Sequence, residues 1–228
     1  MVFQLLSLQE DLNTSPTFNG RKIAQLTVGD LHANAIKLLH TLVQFGVCDF
    51  KPVPYKKLLK LYTKPNPTIE DKKAFLKLIK NELKLRDRTI LVRLIGDIVA
   101  DRGKNDLYVL AILDILREQN VPVTTLISNH DIELILAYEA YKKTGILRVP
   151  EGGIIPEQKS SLAALVDSVG DDGLISNQEF ERLMEQTYLP TLKLVDYSLS
   201  DTEPQKITIF SHAPIDLEVI SYMARKFD

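Results

Sequence analysis

Apolar positions change period several times along the chain, and each change marks a new element. Residues 22–28, KIAQLTV, form a short, largely apolar run that reads as a β-strand. After the turn GDLH, apolar residues recur at helical spacing through about residue 46. TILVRLI at 89–95 reads as a second, buried strand, and LYVLAILDILRE at 107–118 as a helix. VPVTTLI at 121–127 is a third strand, followed by SNHD and the helical stretch IELILAYEAYKK. LKLVDYS at 192–198 and KITIF at 206–210 read as two further strands, and 215–227 as a final helix. Strands alternating with helices predict an α/β fold.

Two stretches interrupt the alternation. In the first, residues 51–88, KPNP ends one helix and TIED at 68–71 opens another as a capping box, with a Lys-rich amphipathic helix running to about Lys84. Leu76, Ile79 and Leu83 give that helix one apolar face, so it is expected to pack on the body of the protein. The second, roughly 145–188, contains a Gly/Pro loop and two short helical stretches. Its segment 167–184 echoes the second half of an EF-hand loop, with Gly173 and Glu179 at positions 6 and 12. Ser168 and Gly170 fall where positions 1 and 3 require carboxylates, so a helix–loop–helix with an Asp/Gly turn is expected, without calcium.

Composition narrows the class. With 228 residues, 45% hydrophobic and 25% charged, the chain fits one elaborated domain of an ordinary globular protein. No apolar run reaches the ~18–20 residues of a membrane span. The N-terminus has neither the basic region nor the apolar stretch of a signal peptide, so a cytoplasmic location is expected. Cys48 is the only cysteine, which excludes an internal disulfide and a multi-Cys metal site. The net charge of −2 conceals an asymmetry: 51–88 hold twelve Lys/Arg against four Asp/Glu. That segment is a solvated helical face, a steering surface for anionic substrates or a contact for a protein partner. Sparse aromatics among its lysines argue against nucleic acid.

The chemistry gathers where strands end. Asp30 and His32 follow the first strand, Asp97, Asp101 and Arg102 the second, Asn129, His130 and Asp131 the third, and His212 the last. Open α/β sheets collect ligands outside the carboxyl ends of their strands. Asp, His and Asn together suit a divalent transition metal. Singly, each signal is weak, because an Asp after a strand is most often a turn former or helix cap. Three of the four histidines nevertheless sit directly after predicted strands; His40, inside a helix, has no assigned role. Asp131 is expected to cap the helix that follows it.

The ordered series GDLH, GDIVADRG, SNHD, SHAP resembles the calcineurin-like metallophosphoesterases. It is most similar to the branch containing the phosphoprotein phosphatases and the bacterial diadenosine tetraphosphate hydrolases. Ser128 stands where that pattern has Gly, and HAP replaces its HGG. The resemblance implies a sheet sandwich flanked by helices, with an inserted helical cap. It implies two divalent ions, manganese foremost, with iron or zinc also suited. Asp97 would bridge them, Asp30 and His32 would complete one site, and Asn129 and His212 would bind the other. Arg102, Asn129 and His130 would hold the phosphate, and His130 would protonate the leaving oxygen, oriented by Asp101. The implied activity is a metal-dependent phosphatase acting on a phosphorylated protein or peptide. The form suggests a bacterial enzyme, with secretion into another cell as an effector a variant of its location. Alternatives are a hydrolase of dinucleoside polyphosphates or small phosphate esters, and a non-catalytic binding module with a degenerate metal site. The resemblance also supplies a further metal-binding His and phosphate-binding Arg after the fourth motif. Here no His follows His212 and Arg225 has no motif around it, which predicts a domain incomplete at its C-terminus.

Overall fold

The computed structural model describes residues 12–150, 159–200, 203–214, 216, 218, 221, 222, 225 and 226. β1 (Gln25–Val28) leads into α1 (Ala35–Gln44). The first excursion comprises β2 (Cys48–Asp49), α2 (Pro52–Tyr62), α3 (Ile69–Glu82) and β3 (Lys84–Leu85). The alternation resumes with β4 (Leu91–Leu94), α4 (Asp106–Glu118), β5 (Val123–Leu126) and α5 (Asn129–Thr144). The second excursion contains α6 (Lys159–Val166) and α7 (Asn177–Arg182), then a π-helical turn at Leu183–Tyr188 and a 3-10 turn at Leu189–Thr191. β6 (Leu192–Lys193), β7 (Asp196–Leu199) and β8 (Ile207–Phe210) follow.

The central sheet has the order β1-β4-β5-β6, and all its pairings are parallel. Helices flank it, so the fold is α/β with a parallel central sheet. β4 carries Val92, Arg93 and Leu94 at 0% exposure, as expected for a strand covered on both faces. β7 and β8 form a separate antiparallel pair. The run 192–198, expected as one strand, therefore divides between two sheets. Lys193 ends its pairing with β5, Leu194 and Val195 turn out exposed, and Asp196 binds the buried guanidinium of Arg93 in β4. Arg93 also lies 4.0 Å from the ring centre of Phe210 in β8, so one side chain joins the two sheets.

The capping signals read from the sequence act as expected. Thr68 and Asp71 close the expected capping box on α3, and Asp131, expected to cap α5, does so in a box completed by Ser128, which had no such expected role. The α2–α3 hairpin is anchored by Tyr55, Leu58, Phe75 and Ile79, each at most 1% exposed. At roughly 1.5–3 kcal/mol per buried side chain, those anchors fix the hairpin to the body. Phe75 stacks on Tyr108 of α4 with centroids 4.0 Å apart. The segment between α6 and α7 is the expected helix–loop–helix, with Val169 bridged to Ile175. Glu179 accepts from the Arg182 guanidinium at 2.7 and 3.0 Å. Of the expected final helix at 215–227, Glu218, Ser221, Tyr222, Arg225 and Lys226 are helical, Asp216 is not, and the others lie outside the described residues.

Candidate metal and phosphate site

Parallel pairing sends β1, β4 and β5 out at the same end of the sheet, and the loops after them carry the polar residues. The loop backbones are unusual. His32, Ala33, Asp97 and Ala100 all have φ near +52°, in the left-handed region that non-glycine residues avoid. Four such residues in two adjoining loops are a concentration of strain of the kind functional sites hold. Two glycines permit the close approach. A Cβ on Gly103 would lie 2.0 Å from the Ala33 carbonyl oxygen, and one on Gly96 2.2 Å from His212 Nδ1. The Ala33 N–H donates to the Asp97 carbonyl at 3.1 Å, locking the loops together.

Among the described residues, His32, Asp97 and Asp101 form a cluster of possible ligands, with one ligand atom from each lying within 4.8 Å of the others. His32 Nδ1 is 2.6 Å from Asp101 Oδ2 and 3.7 Å from Asp97 Oδ2. On the other side of Asp97, His212 Nε2 lies 3.6 Å from Oδ1. His212 Nδ1 is 3.1 Å from the Ile95 carbonyl, to which it can donate, leaving Nε2 with a lone pair turned to the cluster. Asp30 is half-exposed, with Oδ1 3.8 Å from His212 Nδ1. Asp97 Oδ1 is buried without a hydrogen-bond partner. A buried, unpaired carboxylate oxygen is costly unless a cation meets it, so the donor set fits a divalent metal.

Arg102 lies over this cluster on the solvent side. Its side chain is 59% exposed, its Nε donates to Asp101 Oδ1 at 3.1 Å, and a terminal nitrogen is 3.0 Å from His32 Nδ1. Asp101 is fully buried. Burial opposes its ionisation, but hydrogen bonds from His32 and the Arg102 N–H, with the His130 and His32 charges, hold its carboxyl below the usual range.

Three placements depart from expectation. Asp101 makes an ion-pair contact with His130, 3.9 Å from Nε2, but no hydrogen bond, while His130 Nδ1 sits 3.1 Å from the Ala100 carbonyl. The left-handed turn at Ala100 aims that carbonyl at His130 and leaves Asp101 to His32. Asp30 stands beside His212, at 3.8 Å, and lies outside the His32 cluster. Asn129 is exposed at the first position of α5. Ser128, which stands where the resembling pattern has Gly, has a clear job. Its hydroxyl accepts from the Asp97 N–H at 2.9 Å and donates to Asp131 at 2.7 Å, tying the loop after β4 to the start of α5.

Behind the cluster lies a group the sequence did not single out. Asp106, first residue of α4, is completely buried and accepts from the Ser161 hydroxyl. Burial pushes its carboxyl up to about 7, against the Ser161 and Ala100 hydrogen bonds and with the charges of Asp131 and Asp101. In sequence it is one more Asp at a helix start; only its burial under α6 marks it. Asp131 is also buried and accepts from the Tyr188 hydroxyl at 2.9 Å, and burial raises its carboxyl as well. Cys48 is a buried packing residue whose thiol burial pushes up to about 12.

Comparison with known proteins adds three findings. Residues 91–228 match the family described as WipA-like, phosphatase domain. No curated protein matches the sequence. Among solved structures, the chain is similar to the crystal structure of the phosphatase domain from the Legionella effector WipB. That match has 32% identity and a TM-score of 0.74, over 90% of this chain and 72% of the other.

Proposed function

The chain belongs to the WipA-like phosphatase domain family, and from that premise we propose that it is a metal-dependent phosphoprotein phosphatase of the calcineurin-like metallophosphoesterase type. The observation that carries the reading is Asp97, set between His32 and His212 with one buried oxygen unpaired. Its Oδ2 lies toward His32 and its Oδ1 toward His212, so Asp97 would help hold two divalent ions. Asp30, His32, Asn129 and His212 complete the proposed ligands, with manganese foremost and iron or zinc suited to the same donors. Two such ions would supply a water of lowered pKa and a clamp on the phosphate.

The protein's own groups do the rest. Asp101 accepts a hydrogen bond from the His32 Nδ1–H and so fixes the tautomer that leaves the Nε2 lone pair for a metal. Arg102 presents a planar fork of donors on the open side of the cluster, suited to two phosphate oxygens. His130, held through Nδ1 by the Ala100 carbonyl, keeps Nε2 for a proton delivered to the leaving oxygen. Residues 51–88 and 145–188 are read as insertions into one catalytic domain.

A phosphorylated protein is the proposed substrate because the family is one of phosphatases and WipB is an effector. The same likeness supports a cytoplasmic protein delivered into another cell. Among the described residues no helix is long and apolar enough to cross a membrane. The test is hydrolysis of an aryl phosphate by the purified chain during a Mn²⁺ titration, beside Asp97→Asn. Metal-dependent turnover lost in the variant supports the reading. Turnover indifferent to metal, or preference for a dinucleoside polyphosphate over phosphopeptides, refutes the metal or the substrate part respectively.

A further inference from the structure

The strongest positive charge in the chain lies on the α2–α3 hairpin, where residues 51–88 carry twelve Lys/Arg against four Asp/Glu. The two helices enclose a groove of about 820 Å³. Lys57 and Lys60 of α2 and Lys77 of α3 stand along it, and Leu61 and Leu78 supply apolar lining. Two carboxylates, Asp71 and Glu82, also reach the groove. Asp71 is already matched: its pair with Lys64 at 2.6 Å and the Thr68 hydrogen bonds pull its carboxyl down to about 2. Lys57, Lys60 and Lys77 are exposed and make no ion pair among the described residues. The groove thus keeps a surplus of unmatched positive charge above an apolar lining.

The groove also leads somewhere. A second pocket of about 370 Å³ shares Leu61, Lys64 and Pro65 with it and reaches Lys72 and Lys104. Lys104 follows directly on the Arg102–Gly103 loop. Lysines of the two adjoining pockets thus extend from the hairpin to Lys104, two residues after Arg102.

We propose that the α2–α3 groove docks an acidic, amphipathic segment of the phosphoprotein substrate, flanking the phosphorylated residue that enters the site. This rests on the phosphoprotein phosphatase reading above. Charge complementarity selects the occupant: carboxylates meet the lysines, and apolar side chains between them enter the Leu61–Leu78 lining. A membrane surface fits less well, because it wants a protruding apolar face with large aromatics. Of the hairpin's aromatics, Tyr55 and Phe75 are instead fully turned into the core, and Tyr62 is half-buried with its ring against Phe75 and Tyr108. The same inward turn removes the stacking platforms that single-stranded nucleic acid needs.

The experiment compares the whole chain with the Lys57→Glu/Lys77→Glu double variant. The first readout is fluorescence anisotropy of an unphosphorylated peptide rich in Asp and Glu with interspersed Leu. The second is kcat/KM on a phosphopeptide carrying that flank and on an aryl phosphate. The wild-type chain is expected to bind the peptide with an affinity that falls as salt rises. The variant should bind roughly tenfold more weakly, the scale of two reversed exposed charge pairs. Its kcat/KM should fall by a similar factor on the flanked phosphopeptide and stay unchanged on the aryl phosphate. Equal peptide binding by both proteins overturns the proposal, as does wild-type binding to phosphatidylserine vesicles without binding to the peptide. Peptide binding lost in the variant, in a chain that hydrolyses no phosphate under any metal, leaves docking standing and defeats the catalytic reading alone. Both lysines are exposed, so unchanged melting temperature and circular dichroism are expected to show an intact fold.

Discussion

His32 Nδ1 lies 2.6 Å from Asp101 Oδ2, a contact that joins residues 69 positions apart. It ties the loop after β1 to the loop after β4, and it decides which histidine Asp101 serves. An oriented histidine binds metal better than a free one, because its tautomer and ring plane are already set. Asp101→Asn should therefore weaken Mn²⁺ binding about 10–100-fold, the usual scale for losing such an outer partner. Isothermal titration with Mn²⁺ reads this directly. If affinity is unchanged and only kcat falls, Asp101 works through His130 after all.

Asp97→Asn should be more severe, since it removes charge from the residue facing both His32 and His212. Metal affinity and turnover should both drop by more than about 100-fold, beyond an outer-partner loss. In the wild type, excess Mn²⁺ should raise the melting temperature, because a ligand that binds only the folded state stabilises it. Chelation should reverse the rise, and Asp97→Asn should show none. A metal-induced rise in that variant equal to the wild type would remove Asp97 from the site.

Gly103→Ala tests the loop contact. The added methyl carbon would meet the Ala33 carbonyl oxygen at 2.0 Å, which no small adjustment relieves. The strained turns at His32 and Ala33 would be pushed apart from Asp101 and Arg102. Activity should fall by at least about 100-fold, as a shift of about 1 Å in a catalytic constellation can cause. The tertiary fold should persist by near-ultraviolet circular dichroism. Wild-type activity in Gly103→Ala would show that the two loops need not touch.

Much of this was legible because strand ends are written locally. A short apolar run followed by Gly-Asp or Asn-His says where a parallel strand stops and what it carries, and the capping box at Thr68 and the helix-opening Asp131 announce α3 and α5. What failed depended on contacts between distant residues. The division of 192–198 is driven by Arg93, about a hundred positions away, which draws Asp196 out of line with Lys193. The partner of Asp101 was set by the backbone turn at Ala100, and no side chain in the sequence reports a carbonyl's direction. Asp106 was missed because burial under α6, through Ser161, exists only in the fold.

That buried Asp106 gives a pH prediction. Its carboxyl, ordinarily near 3.8, is pushed up to about 7 by burial. Between those values the folded state holds a proton that the unfolded state has released. Stability from this group therefore falls as pH rises from about 4, and the full deficit is present above about 7. Asp106→Asn keeps an oxygen for the Ser161 hydroxyl and removes the titration. The variant's melting temperature should approach or fall below the wild type's at pH 5 and exceed it by on the order of 5 °C at pH 8. Scanning calorimetry across that range checks it; a difference independent of pH would show that Asp106 is ionised in the fold throughout.

The Arg93–Asp196 pair predicts how the two sheets hold together. Arg93 is fully buried in β4, its Nε donating to Asp196 at 2.7 Å and one terminal nitrogen to Thr27 at 3.1 Å. Burial opposes ionisation of Asp196, but the Arg93 hydrogen bond, Lys193 and their charges prevail and hold its carboxyl below the ordinary range. A lowered value in the fold means a stabilising contribution present at neutral pH and lost as pH falls through the acid range. Asp196→Ala strands a buried cation, so it should cost about 3–5 kcal/mol in urea unfolding at pH 7. Replacing both residues, as Arg93→Met/Asp196→Leu, should cost less than Asp196→Ala alone, because no unpaired charge then remains inside. A double variant as unstable as the sum of the two single changes would mean that the pair itself contributes nothing and that the sheets are joined by packing around Phe210.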